Sequence, residues 1–216
     1  MTPGTWGNLP FPPDPLHRSA YADERLQRWL HALVATPGLT AIRDLDEARR
    51  RLLDDSLRGV ELVRAFEGPI VDVGSGGGVP GVPLAAALPE REVTLLEATR
   101  KKVDFLQRWA SELPNVRVVW GRAEEQGTDR YGAAVAKALA APSVALEWCL
   151  PLVVPGGAAI LWAGESIDPA PLATVAATLG ADAPELRDGL LVARKVRPTP
   201  EGFPRRVGVA RKRPLA

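Results

Sequence analysis

The run Ile70-Val71-Asp72-Val73-Gly74-Ser75-Gly76-Gly77-Gly78-Val79-Pro80-Gly81 constrains this chain more than any other stretch. An apolar segment of strand character opens into a glycine-rich turn and passes into a helix. Glycine lets backbone amides approach a ligand with no Cβ in the way and permits φ > 0, while Pro80 suits the first turn of the helix that follows. In an open α/β sheet such a turn lies at the carboxyl end of a strand, so a nucleotide-like ligand is expected there.

Two ligand patterns overlap on these glycines. Gly76, Gly78 and Gly81 fit the dinucleotide spacing G-x-G-x-x-G, with Glu97 at about the ~20-residue distance of a ribose-binding acid. Gly74, Gly76 and Gly78 equally fit G-x-G-x-G with Asp72 two residues ahead, a pattern of S-adenosylmethionine (AdoMet) methyltransferases. A pyrophosphate wants no nearby anion, whereas the sulfonium and amino group of AdoMet are attracted by one. Asp72 therefore tilts the reading to AdoMet, with a plain glycine turn in an α/β domain as the third possibility.

At 216 residues and 46% apolar content, the chain is long enough for one α/β domain with a modest extension and too short for two full domains. Lys plus Arg (27) nearly balances Asp plus Glu (26), so affinity for nucleic acid must come from a local patch rather than a global field. The single cysteine, Cys149, lies in an apolar run and excludes an internal disulfide or a thiolate metal site. No stretch approaches the ~18 apolar residues of a membrane span, and a soluble, cytoplasmic, metal-free monomer is expected.

Residues 1–20 hold five prolines and read as an extended or disordered leader. Residues 21–66 read as an N-terminal helical extension. A first helix carries Leu26, Trp29, Leu30, Leu33 and Val34 and ends at Pro37-Gly38; a second carries Leu45, Ala48, Leu52, Leu53, Val60 and Val63. Residues 67–203 alternate strands (69–73, 92–96, 115–119, 133–137, 157–162, 189–196) with helices near 80–88, 99–112, 141–153 and 168–179. That alternation predicts a largely parallel, doubly wound sheet. Residues 204–216 form a basic tail, either a phosphate-binding patch or disordered, with Phe203 as a candidate anchor.

Glu97 closes the second strand, where an acid accepts ribose hydroxyls. Trp120-Gly121-Arg122-Ala123-Glu124-Glu125 follows the third, where an amide and an acid bracket an adenine. With the glycine turn these make three edges of a nucleoside pocket. Thr99 is expected to cap a helix whose first turn holds Arg100, Lys101 and Lys102, where the helix dipole disfavours cations. An anionic partner or a solvated face accounts for them. No Asn-Pro-Pro-Tyr turn and no Pro-Cys nucleophile is present, and His17 and His31 lie far upstream. If the chain is a methyltransferase, its acceptor is expected to carry a free lone pair and to need placement rather than deprotonation.

Taken together, the chain resembles the glucose-inhibited division protein B family, 16S ribosomal RNA methyltransferases that form 7-methylguanosine. The resemblance rests on Asp55-Ser56-Leu57, on Asp72 through Gly81, on Arg100-Lys101-Lys102-Val103-Asp104-Phe105-Leu106, on Arg122-Ala123-Glu124 and on Phe203-Pro204-Arg205-Arg206. It implies a class I AdoMet-methyltransferase fold, a Rossmann-like doubly wound sheet, acting on 16S rRNA or the small ribosomal subunit. AdoMet contacts would fall on Gly74, Val79, Ala123, Glu124 and Lys137, with Asp72, Gly76, Gly78 and Glu97 around them. Lys137 is the expected catalytic position, and Arg100, Lys101, Lys102, Arg122, Arg205 and Arg206 the expected phosphate contacts. The chain departs from the family pattern at Lys137 (usually arginine), Ala163 (lysine), Leu52 (histidine) and Gly132 (an acid). These changes bear on acceptor recognition more than on AdoMet, so another RNA site, a small-molecule acceptor or a non-catalytic ribosome-assembly role stay open.

Overall fold

The computed structural model describes residues 23–215; the leader 1–20, with His17, lies outside the described residues. Asp23 caps helix α1 (Glu24–Ala35) by accepting the Arg25 amide at 2.8 Å. Leu26, Trp29, Leu30 and Leu33 share its buried face, as their spacing predicts.

The second amphipathic pattern folds differently from one continuous helix. Helix α2 consists of Leu45–Ala48 and Asp55–Leu57 joined by a π-helical stretch, Arg49–Asp54, and a separate α3 covers Val60–Arg64. Gly59 sits at the break because a Cβ there would lie 2.5 Å from the Trp162 ring. Leu45, expected on the apolar face, is exposed.

Five strands, β1 (Ile70–Val73), β2 (Val93–Glu97), β3 (Val116–Trp120), β4 (Tyr131–Lys137) and β5 (Val153–Trp162), pair in parallel. Helices α4 (Gly81–Ala87), α5 (Arg100–Ala110) and α6 (Pro142–Cys149) connect them. After α7 (Ala173–Thr178), strands β6 (Glu185–Arg187) and β7 (Leu190–Arg194) add an antiparallel edge, and α8 (Val209–Lys212) follows near the C-terminus. The order is β3-β2-β1-β4-β5-β7-β6. It reverses between β1 and β4, so the ligand crevice of a doubly wound sheet falls at their carboxyl ends, as the class I methyltransferase reading expects.

Sequence alternation did not reveal β6, which is only three residues long. The Asp188-Gly189 pair does mark its hairpin: both residues have positive φ (46° and 74°), the requirement of a tight two-residue turn. The last strand stops at Arg194, short of the expected 196. Lys195 turns inward instead, donating to the Leu150 carbonyl (2.7 Å) and the Thr199 hydroxyl (2.8 Å).

Two apolar layers sandwich the sheet. Ile70 and Leu95 face a cluster that includes Leu26, Trp29, Leu33 and Leu57, so the N-terminal helices share a core with the sheet. Val71 and Val73 face the other, with Leu146, Cys149 and Val175. A fully buried leucine contributes roughly 1.5–3 kcal/mol, which ties α1 firmly to the sheet that carries the glycine turn.

Gly132, counted in the sequence among the polar departures near an acceptor, instead lies at the amino end of β4, away from the crevice. A Cβ there would sit 1.5 Å from the Glu67 carbonyl oxygen. Gly132→Ala is therefore expected to cost about 2–3 kcal/mol of stability, measured as a lower urea midpoint; an unchanged midpoint would refute the packing argument.

Candidate functional site

The glycine turn is fixed from three sides. From β2, the Leu96 carbonyl accepts the amides of Gly74 (2.8 Å) and Ser75 (3.1 Å). From the end of β2, Glu97 accepts the Gly76 amide at 2.9 Å on one carboxylate oxygen and the Thr99 amide at 2.7 Å on the other. From α1, the Trp29 indole N–H donates to the Gly77 carbonyl at 2.9 Å, and a Cβ on Gly77 would lie 2.1 Å from Leu33. Gly74, Gly76 and Gly78 all take positive φ (71°, 59° and 99°), a conformation closed to most side chains. Val79 follows, half-buried against the first core.

Glu97 is thus a loop anchor as well as the expected ribose acid. Each carboxylate oxygen has a second lone pair, so two acceptor sites remain after the loop amides are served. Thr99 occupies the N-cap position of α5 without a side-chain bond; its amide is already held by Glu97.

Asp72 departs from its expected role. Its carboxyl is fully buried and points under the start of α4, where one oxygen accepts the Gly81 amide at 3.0 Å. The other oxygen has no hydrogen-bond partner among the described residues. Burial, opposed by the Gly81 bond, pushes its pKa up to about 7. A direct attraction for a sulfonium gives way to fastening the helix that follows the turn.

Across the crevice, the loop after β4 closes onto the glycines. Ala138 holds φ 51°, a strained value for a residue with a Cβ. Leu139 Cδ1 lies 2.3 Å from where a Gly74 Cβ would be. Lys137, at the end of β4, donates to the Asp55 carboxylate and to the Arg51 carbonyl (2.5 Å). Burial pushes its pKa down and Asp55 opposes that shift. Asp55 also pairs with Arg58 at 2.6 Å, and its backbone carbonyl accepts the Trp162 indole N–H at 2.7 Å. Ala163 lines a small cavity of about 30 Å³ beside Trp162, Ala136 and Leu139. Asp55, Trp162, Trp29 and Leu139 are site-forming residues that sequence reasoning did not assign to the site, although Asp55 lies in a run that carries the family resemblance and Trp29 in the first helix's apolar pattern. The tryptophans gave no signal beyond apolar periodicity.

Ala123 is buried in the second core and Glu124 is half-buried in the turn after β3, where its carboxylate accepts the Gly208 amide at 3.2 Å. The C-terminal segment therefore reaches the adenine side of the expected pocket. Arg205 differs from its expected role as a phosphate contact: its guanidinium is clamped in a two-pronged pair with the buried Glu147 and donates to the Arg213 carbonyl at 2.9 Å. The tail is pinned to α6 by this pair. Arg206 remains exposed. On α5, Arg100 pairs with Asp104 (2.9 Å) and Lys101 donates to the Pro37 carbonyl (3.1 Å), so part of the first-turn charge is neutralised within the chain. Among the described residues no group of three or more His, Cys, Asp or Glu is placed to hold a metal, and no helix is long and apolar enough to cross a membrane.

The raised pKa of Asp72 fixes a sign. The folded state keeps this proton above the ordinary value of 3.8, so the unfolded state binds fewer protons between about pH 4 and pH 7. The stability contribution of Asp72 then falls as pH rises through that window and levels off above it. Urea unfolding of wild type and Asp72→Asn, which keeps an acceptor for Gly81, should show wild type losing a few kcal/mol relative to the variant from pH 4 to pH 8. Parallel profiles would contradict this.

The sequence model of the family described as rRNA small subunit methyltransferase G matches residues 22–170. A ribosomal RNA small subunit methyltransferase G of Synechococcus elongatus is 36% identical over 221 residues, covering 91% of each chain. Namesakes from Alkaliphilus oremlandii (37% identical, 82% of each chain) and Rubrobacter xylanophilus (40% identical, 68% of this chain and 65% of its own) also match. Among solved structures, the antibiotic-resistance methyltransferase Kmr aligns at 16% identity with a TM-score of 0.49, over 62% of this chain and 89% of its own. Matched over most of its length by the family's model and by these relatives, this chain belongs to the rRNA small subunit methyltransferase G family.

Proposed function

We propose that this protein transfers a methyl group from AdoMet to position 7 of a guanine in 16S rRNA, as a cytoplasmic, metal-free monomer. The observation that carries the reading is the glycine turn held open by Glu97 and Trp29 opposite Lys137. The cradle fits the donor on two counts. Its three positive-φ glycines present backbone where a side chain would fill the space, and Glu97 keeps acceptor capacity for ribose hydroxyls.

Gly74, Gly76, Gly78, Val79 and Glu97 would hold AdoMet on the β1 and β2 side, Ala123 and Glu124 on the β3 side, with Asp72 fastening the cradle from beneath. AdoMet, when bound, supplies an electrophilic methyl on a sulfonium. Guanine N7 presents its own lone pair, a major-groove acceptor, so this chain need not remove a proton first. His31 is exposed on α1, away from the crevice, in keeping with a reaction that uses no histidine base. The work left to the protein is alignment and control of charge. Lys137 serves that work from a fixed position, its ammonium held by Asp55 and the Arg51 carbonyl. Arg100, Lys101, Lys102, Arg122 and Arg206 are the cations proposed to meet RNA phosphates, which makes affinity fall steeply with salt.

Labelled AdoMet incubated with immature small subunits and with free 16S rRNA tests the reading by nucleoside analysis, with calorimetry against AdoMet and NAD alongside. Label in 7-methylguanosine is expected; label in another nucleoside would reassign the acceptor, and NAD binding without AdoMet binding would overturn the cofactor. Glu97→Ala should weaken AdoMet at least about tenfold, because two loop amides lose their acceptor along with the ribose contact. Lys137→Ala should lower turnover by about a hundredfold with a much smaller change in AdoMet affinity; equal losses in both would assign the lysine to cofactor binding alone.

A further inference from the structure

Four large apolar side chains are exposed among the described residues, and Trp120 is the one aromatic among them, 59% exposed. Isolated exposed aliphatics are ordinary on a protein surface. Trp120 is different because its ring is held in place. Its indole N–H donates to the Ala98 carbonyl at 3.1 Å, which lays the ring across the turn between β2 and α5, and the Arg100 guanidinium sits 4.9 Å from the ring centroid. β3 is an edge strand, so nothing in the sheet covers the ring from the outer side. Trp120 also ends that strand, in register with Glu97, so it stands on the rim of the same crevice.

Charge selects the occupant. Arg100 lies against the ring; near it in the chain are the exposed Lys101, whose ammonium donates to the Pro37 carbonyl, the half-buried Lys102 and, two residues after Trp120, the exposed Arg122. Of the nearby acids, Asp104 pairs with Arg100 and Glu125 accepts the Arg122 amide at 3.2 Å, while Glu97 faces the glycine turn. A flat, pre-oriented π surface with a guanidinium on one face and cations beside it suits an unpaired base whose phosphates meet those cations. A base in a duplex, stacked on both faces, has no face to offer it.

We infer that Trp120, backed by Arg100, is a stacking platform for an unpaired RNA base beside the target guanine, on the rim of the methyl-transfer crevice. The inference rests on the RNA reading proposed above. The test uses the full chain with a dye-labelled single-stranded RNA of mixed sequence and the same strand annealed to its complement. Trp120→Ala should weaken single-strand binding by roughly five- to a hundredfold, the span of one base–aromatic stack. Trp120→Phe should retain most of the affinity. Duplex binding, AdoMet affinity and the melting temperature should be unchanged, and the quenching of tryptophan fluorescence by single-stranded RNA should drop in Trp120→Phe.

Wild type and Trp120→Ala binding the single strand equally would overturn the inference, as would equal losses on strand and duplex. Methyl transfer to small-subunit rRNA, measured in parallel, separates the two readings. Wild type that methylates while Trp120→Ala matches it in RNA binding overturns only the platform; wild type that neither binds nor methylates rRNA overturns both.

Discussion

The architecture depends on how a turn made of flexible residues is kept in one shape. Gly74, Gly76, Gly77 and Gly78 have the largest backbone freedom available to a chain, and fixing each costs conformational entropy. Glu97 and Trp29 offset that cost from opposite sides, one by accepting the Gly76 amide while its other oxygen is fixed on the Thr99 amide, and the other through a buried indole N–H to the Gly77 carbonyl. The N-terminal helices therefore serve as part of the cradle as well as a flank to the sheet. The fully buried leucines around Trp29 keep that indole where its single donor is useful.

The two sides of the crevice are built differently. On the β1 and β2 side, backbone amides and carboxylates predominate. On the β4 and β5 side, Lys137 stands in a network with Asp55, Arg58 and Trp162. A lysine is a point charge and lacks the planar fork of a guanidinium. Asp55 and the Arg51 carbonyl restrict that point charge to one direction, recovering part of the orientation that a fork carries in its own geometry.

Much of this was legible in the sequence because it is local. The glycine run, the acid closing β2, the Arg-Ala-Glu turn and the parallel strands all declare themselves within a few residues of one another. What escaped depends on long-range partners. Asp72 reads as a ligand-facing anion until the fold buries it beneath Gly81, and Arg205 reads as a free cation until Glu147, 58 positions earlier, meets it. Trp29, Trp162 and Leu139 look like ordinary core residues, and nothing in their neighbours shows that they touch the loops of the site. β6 was missed for a different reason: three residues carry no usable alternation, although the Asp188-Gly189 turn was there to be read.

The wide π-helical turn at Arg49–Asp54 sets the phase of everything after it. In an α-helix each residue advances by about 100°, so one residue more or fewer in this stretch swings the following side chains to a new azimuth. Leu53 and Leu57 are buried while Asp55 reaches Lys137 from between them. A single-residue deletion that kept the winding would carry Leu57 and Asp55 round together by about that angle, taking the leucine out of the core and the carboxylate away from Lys137. The length of this segment is as much a part of the site as any side chain in it.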